Sequence, residues 1–260
     1  MRIFTSFLIG MVFLAGGTSN AQVLAQLDAR RGVLTVGSES ETNIVWKALQ
    51  PGLSLQSNNT DWESTGNGIQ NVAGPGAQYW EFHGEDATNQ WVKSMIFVLK
   101  VPDNLTYRQT IVCGDLIARL SGAPFNKKAW NTEGRIEKDK KFCNIAWSVN
   151  TVEGGVLIPG ETCLFEVTFA NAMRLSELGL FNDLGRKAWG RAWTGEIKSC
   201  FMWGTQPPSP NTLAAVRKYL VSEWSIPLHL PSITNEELAT ARAEGVKFIN
   251  GRYATLFMVR

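Results

Sequence analysis

The sequence predicts an all-β protein built as a two-sheet sandwich. Between Gln22 and Pro227, short apolar segments alternate with clusters of Gly, Asn, Pro and Ser, a pattern typical of sandwiches and barrels. Several of these segments are rich in β-branched and aromatic residues, which favour strands, and helical periodicity is scarce. The clearest predicted strands span residues 32–36, 79–83, 94–101, 110–113, 117–120, 142–149, 163–169, 177–180 and 195–203.

Residues 1–21 predict a signal peptide. Arg2 supplies a positive charge, residues 3–15 are apolar, and Ser19 and Ala21 offer small side chains at the −3 and −1 positions of a cleavage site. Cleavage after Ala21 is therefore expected, and it would make the protein secreted, periplasmic or attached to the cell surface. No membrane insertion is expected, because the apolar stretch is shorter than the roughly 20 residues that cross a bilayer.

The composition argues against several classes of partner. Lys and Arg number 25 against 23 Asp and Glu, so the chain has no overall field to attract nucleic acid or an anionic membrane. Two histidines and the lack of a Cys-x-x-Cys pair also argue against a zinc site. The sequence therefore predicts no nucleic-acid partner and no cofactor.

Near the end of the sandwich, assigned to residues 22–230, one segment has helical periodicity. Ser209 suits the N-cap and Pro210 the first helical position. Apolar residues then recur at intervals of three or four: Leu213, Val216, Leu220 and Trp224. A short amphipathic helix is predicted, with its apolar side against one edge of a sheet.

Residues 231–260 predict a small C-terminal appendage of a helix and a β-hairpin. Thr234 and Glu237 match a capping box and Gly245 suits a C-terminal cap, which places the helix at residues 235–244. Asn250-Gly251 favours a type I′ turn between strands at residues 246–249 and 253–259. So small a unit must pack on the sandwich or on another chain, and self-assembly through this segment is one expectation.

Several segments resemble the concanavalin A-like, laminin-G-like jelly rolls. The likeness is clearest in Arg191-Ala192-Trp193-Thr194-Gly195-Glu196-Ile197 and in the helix ending Trp224-Ser225-Ile226. Upstream, Trp80-Glu81-Phe82-His83-Gly84 and residues 94–102 resemble strands of the same family, and residues 27–29 resemble its first strand. The resemblance implies an antiparallel jelly roll with a sugar- or protein-binding role. It transfers no functional residue, because the matched positions look structural.

The tryptophans divide into predicted core residues and candidates for ligand binding. Trp46, Trp80, Trp147, Trp203 and Trp224 lie in strand or helix patterns and are expected to be buried. Trp130 and Trp189 are predicted to lie in polar loops, where an exposed indole can stack on a sugar ring. The predicted ligand-binding residues are Trp130, Asn182, Asp183, Arg186 and Trp189. Two alternatives remain open: each indole folds back over the sandwich, or Asp115, Asn182 and Asp183 bind calcium.

The leading functional hypothesis is an exported, non-catalytic module that binds a glycan or a surface protein. The second is a structural or assembly subunit that docks through residues 231–260. The third is a glycoside hydrolase, which needs a pair of carboxylates; Glu81, Glu85 and Asp86 come nearest, but their spacing does not fit one strand face. No enzymatic activity is therefore predicted.

Four cysteines in an oxidising compartment permit disulfides. If residues 142–149 and 163–169 form a hairpin turning near Glu153 and Gly154, facing residue numbers should sum to about 307. That register makes Cys143 and Cys163 near neighbours, so a Cys143–Cys163 disulfide is predicted. Cys113 and Cys200 either form a second pair or remain buried thiols.

Overall fold

The computed structural model describes residues 21–38, 41–57, 62–72, 80–84, 87–103, 109–114, 119–125, 129–135, 145–181 and 192–249. The predicted signal peptide lies outside these residues, apart from Ala21. The described chain forms two antiparallel sheets and two α-helices, which confirms the prediction of a mostly β protein with two antiparallel sheets.

The strands are numbered in chain order. They are β1 (Val23–Asp28), β2 (Val33–Ser38), β3 (Glu41–Lys47), β4 (Ser54–Ser57), β5 (Trp62–Ser64), β6 (Ile69–Asn71), β7 (Trp80–His83), β8 (Trp91–Lys100), β9 (Gln109–Gly114), β10 (Arg119–Phe125), β11 (Ala129–Arg135), β12 (Ile145–Val149), β13 (Val152–Glu153), β14 (Val156–Leu157), β15 (Thr162–Arg174), β16 (Leu178–Leu180) and β17 (Glu196–Trp203). The helices are α1 (Pro210–Glu223) and α2 (Asn235–Ala243).

The first sheet has the order β13-β12-β15-β8-β17-β6-β5, and β1 pairs with the part of β17 that β6 leaves free. The second sheet has the order β14-β11-β10-β9-β16-β7-β4-β3-β2. The predicted strands at residues 94–101, 163–169 and 195–203 are confirmed as β8, β15 and β17, which lie side by side in the first sheet.

A core rich in aromatic side chains fills the space between the two sheets. Trp80 of the second sheet lies edge-on to Trp62 of the first, with ring centroids 5.3 Å apart. Phe97 and Phe165 contribute from the centre of the first sheet and are fully buried. Of the five tryptophans predicted for the core, Trp46, Trp80 and Trp203 are buried, and the other two are half-buried.

The first sheet is covered on both faces. Alternate residues of β8 enter the core between the sheets, while Ile96 and Val98 enter a second core beneath the helices. This is why β8 reads as a continuous apolar run instead of an alternating one. Val216 and Leu220 of α1 pack on this face, so the prediction that they lie against a sheet edge is wrong.

Helix α1 begins and ends as the sequence predicts. The Ser209 hydroxyl accepts a hydrogen bond from the backbone N–H of Thr212, and Trp224 follows the last turn as the C-cap. Arg217 donates two hydrogen bonds, of 2.7 and 2.6 Å, to the Glu166 carboxylate on β15. This two-pronged ion pair fixes the helix on the sheet.

Residues 231–249 pack on the same domain. The predicted capping box of α2 is confirmed, with both Thr234–Glu237 hydrogen bonds present, and Leu238 and Ala241 join the core beneath α1. The backbone N–H of Val23 donates to the Glu244 carbonyl at 2.8 Å. The predicted strand at residues 246–249 is not formed, and the rest of that hairpin lies outside the described residues. In the described part of the chain, no helix has the length and apolar character needed to span a membrane.

The strands β12 and β15 pair in a different register from the predicted one. The chain turns first at Asn150 and Thr151, whose φ angles of 51° and 68° suit a tight hairpin turn into β13, and then enters β14 in the second sheet. As a result Val149 faces Phe165, and Cys163 faces Leu99 of β8.

The predicted Cys143–Cys163 disulfide is therefore not formed. Cys163 is a free, buried thiol, and Cys143 lies outside the described residues. Burial, assisted by the charge of Glu161, raises the pKa of Cys163 to about 12. Burial likewise raises the pKa of Cys200 well above its usual value, so both thiols behave as small apolar core residues.

Candidate functional site

The structure places only one of the predicted ligand-binding residues. Trp130 lies in β11, opposite Pro124 of β10 and Leu157 of β14, so its assignment to a loop is wrong. β11 is a strand because its backbone pairs with β10 on one side and β14 on the other, and its polar sequence does not predict this pairing. Asn182, Asp183, Arg186 and Trp189 lie outside the described residues, as does the calcium candidate Asp115, and their roles stay predictions.

An open cavity of about 400 Å³ lies at one end of the first sheet. Its wall is formed by Gln70, Lys100, Val101, Pro102, Asp103, Thr194, Gly195 and Glu196. In sequence, residues 192–196 directly follow the segment 182–191 that holds four of the predicted ligand-binding residues. The cavity residues 194–196 therefore follow that segment closely in sequence.

The polar side chains of this cavity form one row across the sheet. Glu196 of β17 lies directly opposite Gln70 of β6 on one side and Lys100 of β8 on the other. The row continues to Glu63 of β5 and Thr162 of β15, which pair with Gln70 and Lys100. Directly opposed residues in antiparallel strands share one face, so these five residues, called the polar row below, point to the same side.

The polar row marks the limit of the helix layer. Two residues further along their strands and on the same face, Val98 and Leu164 are buried beneath α1. Lys100 is exposed and Thr162 is half-buried. The face thus changes from apolar to polar where the helix cover stops.

Glu196 is the most constrained member of the row. Its side chain is only 14% exposed; one carboxylate oxygen accepts from the Lys198 ammonium at 2.6 Å, and the other accepts from the Thr65 hydroxyl. Gly68 packs so closely that a Cβ there would overlap the Glu196 side chain. Three separate groups therefore hold this carboxylate in one position.

The same contacts keep Glu196 ionised. Burial on its own would raise the pKa of Glu196, but the hydrogen bonds from Lys198 and Thr65, together with the charges of Lys198 and Lys100, lower it below its usual value. A carboxylate held in this way accepts hydrogen bonds, whereas a general acid needs a raised pKa.

A buried amide positions the other side of the cavity. Gln109 of β9 is completely buried, and its Nε2 donates to the Thr194 hydroxyl at 2.7 Å while its Oε1 accepts from the Thr194 N–H at 3.0 Å. These reciprocal bonds tie residues 192–194 to the second sheet. Sequence reasoning misses the site: its only local signal is Thr194-Gly195-Glu196, for which the family resemblance implies a structural role.

The described residues of the cavity offer hydrogen-bonding groups. Glu81, the nearest catalytic candidate in the sequence, lies on β7 of the second sheet, and its carboxylate is 4.0 Å from the exposed His83 imidazole. Among the described residues, no group of three or more His, Cys, Asp or Glu side chains could hold a metal ion. What the cavity can do is donate and accept hydrogen bonds.

An exposed tryptophan lies at the opposite end of β8. Trp91 is 39% exposed, and the Arg174 guanidinium carbon lies 5.1 Å from its ring centroid. One face of the indole is therefore covered by a cation, which leaves Trp91 less suited to stack on a ligand.

Comparison with known proteins adds no assignment. The chain matched no protein-family model, no curated protein and no solved structure.

The ionised state of Glu196 predicts a pH-dependent effect of Glu196→Gln. A folded-state pKa below the ordinary value of about 4.3 stabilises the fold fully above that pH, and the contribution is lost as pH falls through the lowered folded value. We expect the variant to be less stable than the wild type at pH 7 and the difference to shrink below about pH 4. Urea unfolding midpoints between pH 7 and pH 3 measure this. Glu63→Gln, at an exposed position of the same row, is the control, and a difference that grows as pH falls would contradict the assignment.

Proposed function

We propose that this chain is an exported, non-catalytic module that binds carbohydrate through the polar row and its cavity. Export rests on the predicted signal peptide at residues 1–21. The two antiparallel sheets are interpreted as the jelly roll that the sequence resembles, a fold on which binding sites vary from protein to protein.

The observation that carries the proposal is the register of three strands. It brings an amide, a carboxylate and an ammonium group, from Gln70, Glu196 and Lys100, side by side on one open surface. Sugars present hydroxyl groups that both donate and accept, so they need a mixed set of donors and acceptors. Gln70 supplies both, Glu196 accepts and Lys100 donates.

The charges favour a neutral ligand. The carboxylates of Glu63, Glu196 and the wall residue Asp103 lie on the same surface as the ammonium groups of Lys100 and Lys198, so both signs of charge are present. A strongly anionic or cationic ligand would meet a like charge within the row. A neutral glycan, which is rich in hydroxyl groups, has no such repulsion with the row.

A sugar-array screen of the mature chain tests the proposal. We expect wild-type protein to bind at least one neutral glycan and Gln70→Ala to bind it about fivefold more weakly, as expected for losing a neutral hydrogen bond. Lys100→Met should bind about tenfold more weakly, because the charged hydrogen bond of Lys100 is exposed to solvent and therefore screened. Trp91→Ala is the control at the far end of the sheet and should bind as the wild type does. The proposal fails if no glycan is bound, or if the row variants bind as well as the wild type.

The loop prediction is tested in the same screen. If residues 182–191, which precede the cavity residues in sequence, supply a stacking indole, Trp189→Ala should weaken binding. Trp130→Ala tests in the same way for a contribution from β11 in the second sheet. Unchanged binding in both variants would limit the site to the polar row.

The alternative of an assembly subunit is less well supported. Leu238 and Ala241 of α2 are buried against the chain's own core, so the apolar side of this helix is already occupied. Deleting residues 232–260 should therefore destabilise the domain. An assembly subunit would instead lose oligomers while its monomer stayed folded.

A further inference from the structure

The polar row is longer than the cavity at its centre. Three of its members, Gln70, Glu196 and Lys100, line the cavity, while Glu63 and Thr162 extend the row by one strand on each side. Neighbouring strands lie about 4.8 Å apart, so five residues on five strands span about 19 Å. A single sugar would contact only part of this length.

Other parts of the chain flank the polar row on both sides, in the direction parallel to the strands. On one side stands the C-terminal end of α1, where the Trp224 ring centroid lies 5.4 Å from the Lys198 ammonium that binds Glu196. On the other side, Pro102 and Asp103 form part of the cavity wall just beyond the end of β8. A ligand bound at the row can therefore extend along the row itself, perpendicular to the strands.

The order of groups along the row disfavours an acidic polymer. From one end to the other it reads carboxylate, amide, carboxylate, ammonium and hydroxyl, and the second carboxylate is already paired with Lys198. A chain with one acidic group on each sugar would place negative charge beside both Glu63 and Glu196, which is unfavourable. An uncharged chain meets no such repulsion.

Building on the proposed carbohydrate binding, we infer that the polar row binds a linear, uncharged oligosaccharide laid across the strands, and that several consecutive sugar units contribute to affinity. The site recognises the interior of a chain and does not require a terminal sugar.

Calorimetric titration with oligosaccharides of one to six units tests this inference, using cello-, xylo- and laminari-oligosaccharides as neutral probes and galacturonic acid oligomers as the charged probe. For the neutral series that binds, affinity should rise at least tenfold from the disaccharide to the tetrasaccharide and level off at about five units, one for each strand of the row. The charged oligomers should bind at least tenfold more weakly than neutral ones of equal length.

Variants at the two ends of the row separate this inference from the proposed function. Glu63→Gln and Thr162→Val should weaken the longer ligands severalfold more than the disaccharide, whereas Gln70→Ala should weaken both to the same extent. Equal affinity for one and six units, or tighter binding of the charged oligomers, overturns the inference while carbohydrate binding stands. Failure to bind any neutral glycan, in these titrations and on the array, overturns both.

Discussion

Replacing Trp80 with alanine is expected to lower the free energy of unfolding by about 4 kcal/mol, the usual cost of removing a large aromatic side chain from a packed core. Trp80 is fully buried, and its ring contacts Trp62 at 5.3 Å and Trp46 at 6.4 Å between centroids. Since Trp62 belongs to the first sheet and Trp80 to the second, the substitution opens a cavity between the sheets. Urea unfolding followed by far-ultraviolet circular dichroism measures the loss.

Trp91→Ala is the matched control for this prediction. The same atoms are removed, but Trp91 is exposed and its principal described contact is the cation of Arg174, worth about 0.5–1 kcal/mol at such a site. Equal losses of stability in the two variants would show that the aromatic cluster does not hold the sheets together.

Adding one methyl group at Gly68 is expected to weaken glycan binding about 30-fold, the loss of one charge-assisted hydrogen bond. The new Cβ would occupy the space of the Glu196 side chain and push the carboxylate away from Lys198 and Thr65. Gly68 does not have a left-handed backbone conformation, so crowding alone explains the effect. Titration of Gly68→Ala with the glycan selected on the array measures it.

Gly204→Ala is the matched control, because a Cβ there meets only an ordinary contact with the Trp91 carbonyl oxygen. The double variant Gly68→Ala, Glu196→Ala adds a second check. Removing the crowded carboxylate should relieve the overlap, so the double variant should be no less stable than Gly68→Ala, but it should not restore binding. Wild-type affinity in Gly68→Ala would mean that the position of Glu196 is unimportant for the ligand.

The helices could be predicted because their signals are local. Ser209 and Thr234 accept hydrogen bonds from backbone N–H groups three residues ahead, and such a signal is complete within one turn of sequence. The central strands of the first sheet could be predicted for a related reason. Burial on both faces makes them long apolar runs.

The remaining strands depend on distant partners and leave weak signals. β5 and β6 are three residues each, and β11 is polar in sequence, yet each is held by backbone pairing with a neighbouring strand. The same dependence explains the wrong register of β12 and β15. After a two-residue turn at Asn150, the chain forms β13 in the first sheet and β14 in the second sheet before β15 begins. The residue patterns of β12 and β15 do not predict this path.

The candidate site could not be predicted from the sequence, because its residues are brought together only by the pairing of distant strands. Gln70, Lys100 and Glu196 are far apart in the chain and become neighbours only through the registers of β6, β8 and β17. Resemblance drew attention to Glu196 but suggested a structural role for it. That role and the proposed one agree, since the contacts that fix Glu196 in the fold also present its carboxylate to the cavity.

The most direct test of the central claim is the location of the bound glycan, measured from backbone amide chemical shifts during titration with the neutral oligosaccharide that binds best. Ligand binding at the polar row predicts shifts concentrated in residues 62–72, 98–103 and 192–198, and their loss in Gly68→Ala. Shifts centred instead on Trp91 and Arg174, or spread evenly over the surface, would contradict it.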